Sequence, residues 1–331
     1  MTSSATAPSP VAPPLWRRSL PLLDVAAVLL AGFTLMGNLG HRHWLLDLCA
    51  HFRWHGGVAG VVLAAALLLF RRRRTWWLLL PWLAVGFALT INGLAVAPYY
   101  LPNADAGGPR PHAGEPRLLM FNVRTENRAR DMVVEHLRQR AADFVFVLEI
   151  DRRWVEALQA LRDLYPHQTL EPADHNFGIG FLSRRPPGQV RVVESPSLPA
   201  MIVADVEAAG RPLRLLGVHP MPPIGRERHR LRAEQFEAML PWIDREVPTI
   251  VAGDLNATPW STPFVEFIAR SGLRDSGLGR GLPSTWNARL LAPGIPIDHV
   301  LVPAAIAVTD RIVGPDLGSD HLPLEVGFVW R

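Results

Sequence analysis

The 331-residue chain contains no lysine and only one cysteine. The absence of lysine excludes Schiff-base chemistry, pyridoxal phosphate chemistry and a Walker-type phosphate loop, because each depends on that side chain. The single cysteine, Cys49, excludes an intramolecular disulfide framework and a zinc site built from several thiolates. A chain of this length corresponds to roughly two domains of about 150 residues each.

All 34 basic residues are therefore arginines, and they are unevenly distributed. Residues 1–114 contain nine arginines against three acidic residues, a net charge of +6. Residues 115–331 contain 25 arginines against 27 acidic residues, a net charge of −2. A nonspecific nucleic-acid-binding protein usually owes its affinity to a positive surface. The C-terminal part has no such excess, although a local basic patch is compatible with this count.

Residues 1–114, which carry the net positive charge, contain three apolar runs, at residues 20–39, 56–70 and 76–97. A membrane-spanning helix needs about 20 apolar residues, a length that the first and third runs reach and the second does not. We predict three transmembrane helices within residues 20–97, after a disordered cytoplasmic leader at residues 1–19. Residues 98–116, rich in proline and glycine, are predicted to be a linker. The alternative, one signal peptide followed by buried core helices, explains only one of the runs.

The arginines also predict the orientation of these helices. Arg17 and Arg18 precede the first run, and four consecutive arginines at residues 71–74 separate the second run from the third. Because positive residues flank membrane helices on the cytoplasmic side, the N-terminus is expected inside. Everything after Ala97 is then expected on the extracytoplasmic side of the cytoplasmic membrane. The four-arginine run is also compatible with a nucleic-acid patch, but its place between two apolar runs favours a topology signal.

From residue 117 to the C-terminus, short apolar strands alternate with amphipathic helices, a pattern typical of one α/β domain. Several of these strands begin or end in a polar residue that an apolar strand does not require. These residues are Asn122, Glu149, His219, Asp254, Asn256, Asp298, Asp320 and His321. If the strand ends converge, one cleft contains carboxylates, carboxamides and imidazoles together.

That combination of side chains suits one type of reaction. Carboxylate and carboxamide oxygens favour Mg²⁺ or Mn²⁺ over structural zinc. A metal bound to a phosphoryl oxygen neutralises the charge that develops during displacement, and an Asp beside a His can orient an imidazole or an attacking water. The sequence therefore predicts the hydrolysis of a phosphate ester.

The ordered segments FNVRTEN, FVLEI, GVHP, AGDLNATPWS, PIDHVLV and GSDHLP resemble the endonuclease/exonuclease/phosphatase superfamily, which includes deoxyribonuclease I. The resemblance covers roughly residues 115–331, and a membrane-anchored bacterial subgroup with three N-terminal spans looks closest. It implies a four-layer α/β sandwich, in which two packed mixed β-sheets are flanked by helices. The GDLN and SDH segments are the most specific part of the pattern.

The resemblance also implies a metal site and a water-activating group. Glu149 is implied to be the main metal ligand, with Asn122 beside the metal. Asp254 is implied to orient or deprotonate the attacking water, and Asn256 to hold the phosphate. The family often has glutamine before the metal-binding glutamate, whereas this chain has Leu148.

The remaining implied roles concern the transition state and the leaving group. His219 is implied to contact the phosphate or the leaving group, and Asp298 to lie near the metal and the leaving group. Asp320 is implied to orient His321, which stabilises the transition state. Arg124 either grips a phosphate or is a solvated residue at a strand end. The neighbouring His299 is interpreted as a packing or hydrogen-bonding residue, and Ser319 as a turn residue that supports Asp320.

Two function classes remain open from the sequence. The first is a membrane-anchored, Mg²⁺- or Mn²⁺-dependent phosphodiesterase, phosphatase or nuclease, whose substrate is a lipid headgroup, a small phosphoester or nucleic acid. The charge of −2 on residues 115–331 weakens the nuclease interpretation. The second is a non-catalytic, membrane-anchored binding protein with a degenerate domain of the same family. In both cases the lipid bilayer is a partner of the N-terminal helices.

Overall fold

The computed structural model describes residues 15–70, 79–102, 114–243, 246–287 and 294–331, with side chains from residue 22 onward. The chain divides into two compact units. The first consists of Met1–Met36 and Arg53–Ala95, and the second consists of Gly37–Phe52 and Val96–Arg331. Most of the predicted leader, the four arginines at residues 71–74 and most of the predicted linker lie outside the described residues.

In the described part of the chain, four α-helices precede the first strand: α1 (Leu15–Asn38), α2 (Trp44–Ala50), α3 (Arg53–Phe70) and α4 (Leu79–Tyr100). Among the described residues, α3 and α4 are the two helices long and apolar enough to cross a membrane. Helix α3 begins three residues before the second apolar run, which brings it to 18 residues. The side chains of α1 are described from Leu22 onward, and the described stretch Leu22–Asn38 is apolar but below that length. Length and composition therefore support α3 and α4 as membrane spans. The remaining predicted span corresponds to α1.

The helices of the first unit share a buried polar contact. The guanidinium group of Arg53 in α3 donates to the Thr34 carbonyl oxygen of α1 at 3.0 Å and to Asn92 Oδ1 of α4 at 3.3 Å. Asn92 Nδ2 in turn donates to the Thr34 hydroxyl at 3.0 Å. All three residues are buried, and an unpaired polar group in such a position would be strongly destabilising. This contact ties α1 to the other two helices.

The second unit contains two six-stranded sheets. The first has the strand order β11-β12-β1-β2-β4-β3, and the second has the order β5-β6-β7-β8-β10-β9. The strands are β1 (Arg117–Asn122), β2 (Phe144–Leu148), β3 (His167–Glu171), β4 (Ile179–Ser183), β5 (Gln189–Val193), β6 (Met201–Ala208), β7 (Arg211–Val218), β8 (Thr249–Asp254), β9 (Arg274–Asp275), β10 (Asp298–Val302), β11 (Ile306–Val313) and β12 (Leu324–Trp330). Strand β1 is parallel to β2 and β7 is parallel to β8, whereas the other pairs are antiparallel.

Alternate residues of each central strand face opposite layers. Leu118 and Met120 of β1 lie between the two sheets, whereas Leu119 and Phe121 pack against the outer helices. Both faces of β1 are apolar because one is covered by the other sheet and one by the outer helices. This explains why the sequence of β1 is a continuous apolar run. The sheets approach closely at Gly217, where a Cβ atom would lie 2.3 Å from the Phe146 ring.

Helices cover the outer face of each sheet. These are α5 (Arg130–Arg140) and α6 (Arg152–Leu158) on the first sheet, and α7 (Arg226–Met239) and α8 (Thr262–Ser271) on the second. Two mixed sheets flanked by helices confirm the predicted α/β sandwich. Strands β3, β9 and β11 and helix α8 were not predicted.

Candidate active site

Polar side chains from both sheets meet at one edge of the sandwich. Asn122 ends β1 and Glu149 directly follows the parallel strand β2, whereas Asp254 ends β8 and His219 follows the parallel strand β7. Because neighbouring parallel strands present their carboxyl ends at the same edge, each pair of residues is brought together by its sheet. Packing of the two sheets then brings the pairs to each other.

Asn122 joins the two pairs. Its Nδ2 atom donates to Glu149 Oε1 at 2.9 Å and to Asp254 Oδ2 at 3.1 Å. The His321 Nε2 atom lies 3.4 Å from the same amide nitrogen. Asn122 is fully buried, so the amide fixes the separation of two carboxylates that belong to different sheets.

His321 lies between two carboxylates of the second sheet. Its Nδ1 atom lies 2.9 Å from Asp298 Oδ2, and its Nε2 atom lies 3.5 Å from Asp254 Oδ2. Burial of the imidazole opposes its protonation, but the negative charges of Asp298 and Asp254 outweigh burial and raise the pKa of His321 to about 10. The ring is therefore held as a cation that can stabilise negative charge.

The implied pairing of Asp320 with His321 is wrong. Asp320 accepts a hydrogen bond from Trp286 Nε1 at 3.2 Å and lies 4.0 Å from the Arg124 guanidinium, on the rim of the cleft. Asp320 lies in the bend before β12, and its carboxylate is directed to Trp286 and Arg124 and not to His321. Asp298 binds the imidazole instead. The register that pairs Asp298 with Asp254 puts both carboxylates on the same face of the sheet.

His219 contacts the same carboxylate from the other side. Its Nε2 atom lies 3.4 Å from Asp254 Oδ2, and its ring packs against Phe177 with 5.1 Å between the ring centroids. Burial by itself raises the pKa of Asp254, but the charge of His321 and the hydrogen bond with His219 lower it below its ordinary value. Asp254 is therefore an ionised, buried carboxylate between two imidazoles.

Asn256 is oriented by its backbone and by Pro220. Its backbone nitrogen donates to Asp254 Oδ1 at 2.9 Å, and its side-chain Nδ2 donates to the Pro220 carbonyl oxygen at 2.9 Å.

Three residues of the site have a strained backbone. Asn256, Glu149 and Arg124 have φ angles of 47°, 61° and 60°, in the left-handed region that non-glycine residues rarely adopt. Such backbone strain persists where the surrounding structure imposes it, and it is concentrated at functional sites.

Arg124 lies farther out than the other predicted residues. Nearly half of its side chain is exposed, and its Nε atom lies 3.2 Å from Glu126. Arg124 and Asp320 therefore belong to the rim, whereas the other predicted residues with buried side chains form the centre. The central group is Asn122, Glu149, His219, Asp254, Asp298 and His321.

The central residues fit a hard divalent cation. Glu149 is only 9% exposed, and burial raises the pKa of its carboxyl group, an effect that a bound cation would oppose. Its oxygens accept hydrogen bonds from Asn122 and from the backbone of Thr125. A second group of ligand atoms, on Asp254, Asp298 and His321, lies within 4.8 Å of one another. Asp298 and His321 already bind each other. Glu149 is therefore better suited to bind a metal ion than this second group is.

Several supporting residues carried no sequence signal for a role in the site. The hydroxyl of Ser319 donates to the Asn122 carbonyl oxygen at 2.8 Å and accepts from the His321 amide, which ties the His321 turn to β1. The hydroxyl of Thr285 accepts from the Asp298 amide at 3.2 Å. His299 faces away from the cleft and its Nδ1 atom lies 2.9 Å from Asp275 Oδ2, as expected for a packing or hydrogen-bonding residue.

The central residues open into a cleft of about 630 Å³. Most of the exposed surface that lines it is apolar, and Arg228 is the arginine among the described lining residues. The apolar contributors include Leu48, Phe52, Phe177, Pro222, Ile224 and Trp286. The arrangement therefore combines an anionic, metal-compatible floor with an apolar mouth.

Comparison with known proteins agrees with this geometry. The model of the endonuclease/exonuclease/phosphatase family matches residues 119–321. No curated protein matched the chain.

Among solved structures, a humanized D. rerio TDP2 is 18% identical with a TM-score of 0.55, over 66% of this chain and 100% of that one. An endonuclease/exonuclease/phosphatase from Beutenbergia cavernae is 23% identical with a TM-score of 0.54, over 65% of this chain and 72% of that one. The 3′ phosphatase NExo from Neisseria, bound to a product DNA hairpin, is 20% identical with a TM-score of 0.52, over 65% of this chain and 99% of that one. The chain belongs to the endonuclease/exonuclease/phosphatase family.

Proposed function

We propose that this protein is a divalent-metal-dependent phosphoester hydrolase, anchored in the cytoplasmic membrane, whose catalytic unit lies on the extracytoplasmic side. The observation that carries the proposal is the buried group in which Asn122 bridges Glu149 to Asp254 and His321 is held between Asp254 and Asp298. Retention of the entire group argues against a degenerate, non-catalytic binding domain.

Each residue of the group has a chemical task in this proposal. Glu149, with Asn122 beside it, would hold Mg²⁺ or Mn²⁺, and the cation would supply charge neutralisation at the phosphoryl oxygen. Asp254, an ionised carboxylate, orients or deprotonates the attacking water. Asn256 and His219 donate hydrogen bonds to the phosphate oxygens.

The remaining residues act on the developing charge and at the rim. His321, protonated and oriented by Asp298, stabilises the negative charge that accumulates in the transition state and donates a proton to the leaving oxygen. Arg124 binds the substrate phosphate from the rim. Asp320 positions Arg124 and Trp286 beside the cleft.

The exposure of the apolar helices supports membrane anchorage. In the apolar 18-residue stretch of α3, only 22% of the residues are buried within the described structure. In the corresponding stretch of α4, only 28% of the residues are buried. Leu68 and Leu83 are 70% and 68% exposed, which a core helix of a soluble protein would not tolerate over its length. The buried contact of Thr34 with Arg53 and Asn92 argues that α1 stays with these helices and is not removed as a signal peptide.

The apolar mouth of the cleft favours a phosphoester that carries an apolar group, such as a phospholipid. Nucleic acid would be expected to meet several cationic or hydrogen-bonding side chains along its backbone. Outside the central residues, the described lining offers Arg228 as its arginine, with His175 and Asn176 as hydrogen-bonding side chains. Apolar side chains such as Phe52, Phe177 and Ile224 are more numerous there. A membrane-bound enzyme also meets its lipid substrate without leaving the bilayer surface.

The test uses the purified full-length chain in detergent with Mg²⁺. Mixed phospholipid vesicles and supercoiled plasmid are offered in parallel, and release of phosphorylated headgroup or phosphate is followed beside nicking. Lipid turnover by the wild type and its loss in Asp254→Ala supports the proposal. Nicking without lipid turnover makes the protein a nuclease, and no turnover of either substrate favours a binding protein. Asp163→Ala, which removes an exposed ion pair with Arg138, is the matched control.

A further inference from the structure

The segment between α1 and α3 contains a fully buried acidic residue, Asp47. Its Oδ2 atom accepts a hydrogen bond at 2.6 Å from the equally buried guanidinium group of Arg232, in α7. His229, one turn earlier in α7, lies 3.4 Å from the same oxygen. Although burial by itself raises the pKa of Asp47, the hydrogen bonds with His229 and His51 and the charge of Arg232 lower it below its ordinary value. The carboxylate and Arg232 therefore form a buried ion pair between residues 185 positions apart.

Asp47 also caps a helix of the catalytic unit. Its Oδ1 atom accepts the backbone N–H of Thr262, the first residue of α8, at 2.7 Å. The N-cap residue of that helix, Ser261, makes no capping hydrogen bond with its own side chain. A carboxylate is favourable at this position because the first amides of a helix lack partners within it. The segment thus completes α8 from a distant part of the chain.

Arg232 connects this ion pair to the candidate active site. Its Nη1 atom donates to the Asn256 carbonyl oxygen at 2.6 Å, while Nη2 binds Asp47. Asn256 has a strained φ of 47°, so its orientation depends on contacts that hold both sides of the residue. On one side, Asp254 accepts a hydrogen bond from the backbone N–H of Asn256. On the other side, Arg232 donates to the backbone carbonyl oxygen of Asn256.

The same segment also lines the cleft. Leu48, His51 and Phe52 contribute to the lining together with Glu149 and His321. His51 is buried, and burial lowers the pKa of its imidazole. Phe52 is 43% exposed and presents an apolar ring at the mouth.

We propose that two residues of the segment Gly37–Phe52, Asp47 and Phe52, belong to the active site. Asp47 is a positioning residue that fixes Asn256 through Arg232, and Phe52 is a specificity-determining residue that contacts the apolar part of the substrate. This inference rests on the proposed hydrolase function. It implies that the domain from residue 115 onward is incomplete as an enzyme, because one wall of its cleft comes from between the apolar helices.

The positioning role is tested by Asp47→Asn and by the double variant Asp47→Asn/Arg232→Gln, both in the full-length chain. The single variant leaves a buried arginine without its counter-ion, so it is expected to lower the melting temperature as well as kcat. The double variant removes both charges, and its melting temperature is expected to return towards that of the wild type. We expect kcat for bis(p-nitrophenyl) phosphate to stay about 10- to 100-fold low in the double variant, because Asn256 is no longer held. A double variant with wild-type kcat would overturn the positioning role.

The specificity role is tested by Phe52→Ala, with Leu45→Ala as the control. Leu45 is 51% exposed on the same segment and does not line the cleft. We expect Phe52→Ala to raise KM for a short-chain phospholipid about 10-fold with kcat nearly unchanged, and Leu45→Ala to leave both constants as in the wild type. If only bis(p-nitrophenyl) phosphate is hydrolysed, its KM is measured instead.

The outcomes separate this inference from the proposed function. Wild-type turnover that is lost in Asp254→Ala, combined with a KM in Phe52→Ala equal to that of Leu45→Ala, overturns the inference alone. A wild-type protein that hydrolyses neither probe overturns the proposed function, and the inference with it.

Discussion

Asp254 and Asp298 are paired directly across the antiparallel strands β8 and β10, and both carboxylates reach the imidazole of His321. The pairing puts two buried negative charges within 3.5 Å of the ring nitrogens. Such a geometry keeps the imidazole charged and fixes its orientation, so the catalytic task that we propose for His321 depends on the register of two strands. Asp320, its neighbour in sequence, is not part of this arrangement.

This difference predicts unequal effects of two conservative substitutions. Asp298→Asn keeps the size of the side chain but removes the charge that orients His321, and we expect kcat to fall about 100-fold or more. Asp320→Asn alters the contacts with Trp286 and Arg124 on the rim, and we expect less than about a 10-fold change, mainly in KM. Steady-state kinetics of both variants check this. A larger kcat loss in Asp320→Asn than in Asp298→Asn would restore the role that the family resemblance implied for Asp320.

Removal of divalent metal is expected to abolish turnover. Treatment with EDTA should inactivate the wild type, and Mg²⁺ or Mn²⁺ should restore it, because the buried oxygen ligands around Glu149 suit a hard cation. Glu149→Gln should need at least about 10-fold more Mg²⁺ for half-maximal activity, which a metal titration measures. Full activity in EDTA, or the same metal requirement in Glu149→Gln and the control Asp163→Ala, would contradict the assigned ligand.

A buried ion-pair network predicts how stability depends on pH. Burial by itself raises the pKa of Glu325, but hydrogen bonds from Arg140 and Arg117 lower it below its ordinary value of 4.5. A carboxylate with a lowered pKa in the folded state contributes stability above its unfolded pKa, and the contribution is lost as the pH falls through the folded value. At pH 7 we expect Glu325→Gln to lose about 2 kcal/mol, or about 6 °C in melting temperature.

The measurement for Glu325→Gln is thermal unfolding at pH 7 and at pH values below 4.5. The difference from wild type should shrink at the lower pH values, where the wild-type carboxylate becomes protonated as well. Glu135→Gln, which changes an exposed residue of α5, serves as control and should shift the melting temperature by less than about 1 °C. A pH-independent difference between Glu325→Gln and the wild type would contradict the electrostatic explanation.

The proposed topology predicts the location of two points of the chain. A reporter fused after Ala97 should be active on the extracytoplasmic side, and an N-terminal tag should remain attached to the mature protein on the cytoplasmic side. The reason is that three spans separate these points and that α1 is held by the contact of Thr34 with Arg53 and Asn92. A cytoplasmic reporter, or loss of the tag by cleavage after α1, would contradict the arrangement.

Much of the fold could be predicted from local patterns. Strands such as β1 and β2 are continuous apolar runs because both of their faces are covered, and α5 has the spacing of an amphipathic helix. Strand β11 was missed because its second half, TDRIV, carries charged residues and a register shift between Val308 and Asp310. Strand β3, at the edge of its sheet, is only half-buried and shows no alternation.

The candidate site was predicted in its residue types but not in its contacts. The motifs placed Asn122, Glu149 and Asp254 at strand ends, where the structure brings them together. The partner of His321 depends on the register of β8 and β10, which no local pattern specifies. The ion pair of Asp47 with Arg232 joins positions 185 residues apart, and Asp47 lies between two apolar helices, where the sequence offered no reason to connect it with catalysis.

The most direct test of the central claim is the rate of phosphoester hydrolysis by the full-length protein in Mg²⁺, measured side by side for wild type, Asp254→Ala and Asp163→Ala. We predict turnover by the wild type and by Asp163→Ala, and a loss of at least about 1,000-fold in Asp254→Ala, whose fold should be retained. Equal rates in all three proteins, or no rate in any of them, would contradict the assignment of this buried group as the active site of a hydrolase.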